Sequence, residues 1–120
     1  MRIRIHEIEI GTADLLAENN FFRAIGILPV LEQENITVFD SGIHGLDVNV
    51  ANHLLPGTVQ LSFLTDDLKT IMEQLLQRHI FFEGPFESHL GMLSIKIVSP
   101  NNIPVIINTP TDSSPAWLRV

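Results

Sequence analysis

A chain of 120 residues fits one domain, and its 45% hydrophobic, 18% charged composition calls for a buried core. Its net charge of −7, from 14 acidic against 7 basic residues, argues against nucleic acid as a partner, because phosphate binding needs clustered Lys and Arg. With no cysteine, disulfides, thiolate metal sites and cysteine nucleophiles are excluded. The opening Met1-Arg2-Ile3-Arg4 alternates polar with apolar and lacks the apolar h-region of a signal peptide. No apolar run approaches the roughly 20 residues that span a bilayer, so a cytoplasmic protein without membrane association is expected.

From Arg2 to Ile10 the pattern is that of a strand, but its apolar parity changes. Ile3 and Ile5 share one face, Ile8 and Ile10 the other. The change near His6 and Glu7 requires either a bulge or a strand buried on different faces at its two ends. Thr12 is the expected N-cap of a helix that carries Leu15, Leu16, Phe21, Phe22 and Ile25 and ends at Gly26. Three strands are expected next, over Leu28–Glu32, Asn35–Asp40 and Gly45–Val50, with Ser41-Gly42 as a turn. After Pro56-Gly57 the order starts again. Thr58–Leu64 alternates as a strand, Thr65 is the matching N-cap, and Leu68, Ile71, Met72, Leu75 and Leu76 form a helical stripe. Strands are then expected at Ile80–Phe82, Met92–Val98 and Pro104–Asn108. Both halves read strand, helix, three strands, which makes an internal repeat of about 55 residues. The tail, residues 109–120, either frays or is anchored through Trp117 and Leu118 on the domain or on a partner subunit.

The segment Ile8-Glu9-Ile10-Gly11-Thr12-Ala13-Asp14-Leu15, followed by Phe21-Phe22, resembles the opening of vicinal oxygen chelate proteins, the superfamily of glyoxalases, bleomycin resistance proteins and extradiol dioxygenases. Phe63-Leu64-Thr65-Asp66-Asp67-Leu68 is similar to the start of the family's second half, and Gly91 to Asn102 to its closing hairpin. The resemblance implies an α+β fold. Two βαβββ modules, about residues 1–52 and 57–108 of a single 1–120 domain, would form a cup-shaped mixed sheet with helices on the convex side. It also implies homodimers, with a small-molecule ligand in the cup.

Enzymes of this family hold a divalent metal with four cup-facing His or Glu side chains. Carried onto this chain, the first position falls on Glu7, or on neighbouring His6 if the register slips. The second falls near Asp47 and Asn49, the third on Gln60 and the fourth on Ile106. Isoleucine offers no donor and a neutral amide is a poor ligand for a transition metal, so the usual site is expected to be lost. His6, Glu7 and Asp47 are the remaining metal candidates, suited at most to a hard ion. The other histidines, His44, His53, His79 and His89, form no helical ligand pair.

Glu7, Glu9, Asp47, Asn49, Gln60, Ser62 and Asn108 share the expected inward parity, and Lys96 and Ile106 complete the set of cup residues. Glu7 beside Asp47 would be a carboxylate pair with one raised pKa, which makes Glu7 the candidate general base. The leading expectation is a small-molecule-binding protein with no cofactor, its acidic face favouring a cationic or hydroxyl-rich ligand. The alternatives are a divalent-metal-dependent lyase, isomerase or dioxygenase, and a dimeric interaction module whose cup is filled by its own side chains.

Overall fold

The computed structural model describes all residues from Met1 to Val120. Its elements are β1 (Ile3–Gly11), α1 (Leu15–Ala24), β2 (Pro29–Glu32), β3 (Ile36–Asp40), β4 (Asp47–Ala51), β5 (Val59–Thr65), α2 (Leu68–Gln77), β6 (Glu83–Glu87), β7 (Leu93–Val98) and β8 (Pro104–Thr109). A short 3-10 turn at His89–Gly91 precedes β7. The fold is α+β, a mixed eight-stranded sheet with neighbours in the order β2-β3-β4-β1-β5-β8-β7-β6. β1 lies parallel to β4, whereas the β2-β3-β4 and β6-β7-β8 runs are antiparallel.

The repeated Thr-x-Asp-Leu sequence turns strand into helix twice, by the same chemistry. The caps are Asp14 and Asp67, two residues beyond the expected Thr12 and Thr65. Asp14 Oδ1 accepts from Ala17 N at 3.0 Å, and Asp67 Oδ1 accepts from Thr70 N at 3.0 Å. Each threonine instead ties the turn: its hydroxyl accepts from the backbone N–H of the capping aspartate, at 3.0 Å for Thr12 and 3.1 Å for Thr65. The aspartates win the cap because they sit where a side-chain oxygen reaches the free N–H groups of the first turn. The Thr70 hydroxyl also donates to Asp67, which lowers the pKa of that carboxyl.

The chain forms two compact bodies, His6–Leu61 and Met1–Ile5 with Ser62–Val120. β1 therefore passes from one body to the other between Ile5 and His6. The apolar parity changes there, and from Glu7 to Gly11 β1 keeps continuous register with β4.

In the His6–Leu61 body, α1 packs on β3 and β4, with Phe22 against fully buried Phe39 at a ring separation of 5.1 Å. In the other body, Leu68 and Ile71 of α2 join Ile95 and Ile107 in the core, flanked by Met72, Leu75, Phe82, Ile97 and Val105. One strand expectation fails. Ile80–Phe82 is not a strand, and β6 lies just beyond it at Glu83–Glu87, where every residue is exposed. His79 adopts a positive φ and the chain turns back, with Ile80 N donating to Leu75 O; Phe82 then packs into the core. β6 is an edge strand, where Pro85 removes no essential ladder bond. The tail is held by polar clamps, with Thr111 Oγ1 donating to Gly91 O at 2.6 Å and Arg4 to Arg119 O. Leu118 is half-buried, while Trp117 stays exposed.

Gly11 closes β1 under the 54–58 loop. Its N–H donates to Thr58 O, and its carbonyl accepts from Gly57 N. A Cβ at Gly11 would lie 2.1 Å from Leu55 O and 2.9 Å from Leu55 C, both backbone atoms. Gly11→Ala is therefore expected to destabilise the protein by about 1–3 kcal/mol, the usual cost of overpacking, read as a lower urea midpoint at unchanged slope. An unchanged midpoint would mean that the loop yields freely.

Candidate ligand-binding site

In the His6–Leu61 body, strand pairing sorts side chains between the two faces of the sheet. Phe39 is opposite Val48, and its contact with Phe22 puts both on the helix side. Asp47 and Asn49 alternate with Val48 and so lie on the other face. Glu7 is in register with Asp47, and Glu9 with Asn49, which brings all four together there. Asn49 Nδ2 donates to Glu7 Oε2 at 2.9 Å, and Gln60 Nε2 donates to Glu9 Oε2 at 3.2 Å. Glu7, Glu9, Asp47, Asn49 and Gln60 thus form one polar group.

His6 has the opposite parity. It is buried, and its Nδ1 lies 3.4 Å from Glu7 Oε1. The carboxylates repel one another: the pKa of Asp47 is raised by partial desolvation and then by the charge of Glu7. Asn49 is 5% exposed, and its Oδ1 has no hydrogen-bond partner. An orphaned buried acceptor is costly, and Thr37 Oγ1 and Asn19 Oδ1 are further examples in this body.

Asp40 joins this row without having been expected there. It is in register with Asp47 and extends the carboxylates to a third strand, although one of its oxygens accepts from Gly42 N at 2.8 Å. The parity of Ile36–Asp40 carries the signal: Ile36, Val38 and Asp40 share a face, and that face becomes the polar one only once β3 is paired with β4.

In the other body, Ser62 and Asn108 are buried and bonded to the protein. Asn108 Nδ2 donates to Ser62 Oγ at 2.8 Å and to Phe63 O at 3.0 Å, while Ser94 Oγ donates to Asn108 Oδ1. Lys96 and Ile106 are register partners on the strand face that alternates with core residues Ile95 and Ile107. Lys96 lines a recess of about 210 Å³ with Phe81 and Glu83.

The donor chemistry does not fit the family's four-ligand ion. No three His, Asp or Glu side chains gather in a metal-binding group, Gln60 directs its amide N–H to Glu9, and Ile106 has no donor atom.

Neither a family model nor a curated protein matches the sequence. Solved structures do match the fold. A glyoxalase/bleomycin resistance protein/dioxygenase superfamily member from Vibrio splendidus is similar at a TM-score of 0.67 and 13% identity, over 91% of this chain and 100% of that one. Methylmalonyl-CoA epimerase from Mycobacterium tuberculosis is similar at 0.65 and 12%, over 89% and 87%. The Mn(II)-bound glyoxalase from Novosphingobium aromaticivorans is similar at 0.64 and 17%, over 92% of this chain but 39% of its own. The chain has the vicinal oxygen chelate fold. No helix is long and apolar enough to cross a membrane.

The raised pKa of Asp47 has a definite sign. An aspartate whose folded pKa lies above its unfolded value costs stability as pH rises through that interval, because the folded state then gives up a proton it holds more tightly. Asp47→Asn is therefore expected to be more stable than wild type at pH 7, with the gap closing as pH falls below the carboxylate range. Urea midpoints between pH 3 and 8 check this. A variant less stable at pH 7 would mean that the Asp47 carboxylate is held favourably.

Proposed function

We propose that this protein binds a small molecule on the polar face of Glu7, Glu9, Asp47, Asn49 and Gln60, and that the ligand is cationic or rich in hydroxyl groups. The observation that carries this reading is the crowding of three carboxylates, Glu7, Glu9 and Asp47, on one face, beside the amides of Asn49 and Gln60 and with the His6 ring against Glu7. An ammonium or hydroxyl donor would offset the like charge of Glu7 that, after desolvation, raises the pKa of Asp47. Binding needs no resident cofactor, and no catalytic step is assigned. The protein on this reading is a cytoplasmic homodimer; exposed Val30 and Leu31 on edge strand β2 support the pairing.

A divalent-metal lyase, isomerase or dioxygenase on the same scaffold is less well supported, because Gln60 and Ile106 stand where the resemblance calls for ligands. A dimeric module with a filled cup would leave the crowded carboxylates without a counter-charge.

The test is a thermal-shift panel of small primary amines and polyols, beside Mn, Fe, Co, Ni and Zn added and then removed. A ligand at about 100 times its Kd adds about 2.7 kcal/mol, a rise of roughly 10 °C for a domain of this size. The expected result is a saturable rise with an amine or polyol that Glu7→Gln and Asp47→Asn weaken. About one retained metal per chain, lost on Glu7→Ala or His6→Ala, would overturn the reading in favour of an enzyme.

A further inference from the structure

Of the seven Lys and Arg residues in this acidic chain, three meet in the body formed by Met1–Ile5 and Ser62–Val120. The backbone of Arg2 is clamped, its N–H donating to Asp66 Oδ1 at 2.7 Å and its carbonyl accepting from Thr65 Oγ1 at 2.7 Å and Asp66 N at 3.3 Å. Arg4 clamps the tail, its Nε and Nη2 donating to Arg119 O at 3.2 and 2.5 Å. These bonds fix the main chain at Arg2 and Arg119 and leave both guanidinium groups without an ion pair or hydrogen bond.

The two arginines line a cavity of about 390 Å³ together with Asp66, Thr109, Pro110 and Leu118, and Val120 completes the rim. That volume lies within the usual range for small-molecule sites. A guanidinium presents a rigid fork of donors that matches the oxygens of carboxylate and phosphate. Here two arginines line one recess with Thr109, and Pro110 and Leu118 add apolar surface. Asp66 is the opposing charge, and one of its oxygens is already engaged by Arg2 N. Two sets of hydrogen bonds thus hold these arginine backbones in place.

We propose that this cavity is an anion-binding site, taking the carboxylate or phosphate group of a small organic anion through the Arg2 and Arg119 side chains. The site lies in the other body from the acidic face and does not depend on it. An anion here and a cation or polyol there are chemically opposite ligands, so the two can be tested separately.

The experiment is titration of the full chain with inorganic phosphate and, separately, with propionate, at constant ionic strength, followed by calorimetry and amide NMR shifts. Saturable binding is expected, weakened at least tenfold by Arg2→Gln and by Arg119→Gln and unchanged by Arg78→Gln. Both substitutions spare the backbone clamps, so folding should be retained. Asp66→Asn keeps an acceptor for Arg2 N while removing the opposing charge, and is expected to tighten binding about threefold. A preference for phosphate over propionate would assign a phosphorylated ligand, and the reverse a carboxylate. Shifts that never saturate, or binding that survives both glutamine variants, would overturn the proposal.

Discussion

Side chains on a strand alternate between its faces, and β1 changes the parity of its apolar residues where it passes from one compact body to the other. Up to Ile5 the strand belongs to the body completed by Ser62–Val120, and from His6 onward to the other. The change of body coincides with the change of apolar parity in the sequence, and from Glu7 onward the register with β4 is continuous. Ile8 and Ile10 then turn to the helix side, and Glu7 and Glu9 are necessarily left together on the opposite face. Parallel pairing with β4 adds Asp47 and Asn49 in register. The acidic group follows from strand geometry once β1 and β4 are aligned.

That geometry sets the electrostatics. Partial burial, and then the like charge of Glu7 on the adjacent strand, raise the pKa of Asp47. The same face holds a buried amide oxygen without a partner. Neither feature favours stability, and on the proposed reading a donor ligand offsets the crowding of the carboxylates. The second body handles its buried polar groups in the opposite way. Asn108, Ser94 and Ser62 satisfy one another and leave nothing for a ligand.

Much of this is legible in the sequence. The repeat of Thr-x-Asp-Leu sets the order of elements, and the change of parity at His6 is plain from the order of residues alone. The helix caps are harder to read because Thr and Asp are both good caps, and only backbone geometry decides which reaches the free N–H groups. Ile80–Phe82 misleads because an apolar run is equally suited to a strand or to a segment dropping into a core; here the edge strand beyond it carries Gly and Pro and is exposed throughout. The grouping of Glu7, Glu9, Asp47, Asn49 and Gln60 follows from parity. The internal bonding of Ser62 and Asn108 does not, because parity says which face a side chain takes and not what it meets there. Asp40 is hidden for a related reason, since its role depends on pairing between β3 and β4.

The central claim is that Glu7 and Asp47 face each other as charges on one sheet surface. Carboxyl-carbon NMR of Asp47 across pH, in wild type and in Glu7→Gln, measures this directly. The expected result is an Asp47 pKa above the ordinary aspartate value, falling toward it when Glu7 loses its charge. An Asp47 that titrates normally, or one indifferent to Glu7, would contradict the pairing and with it the acidic site.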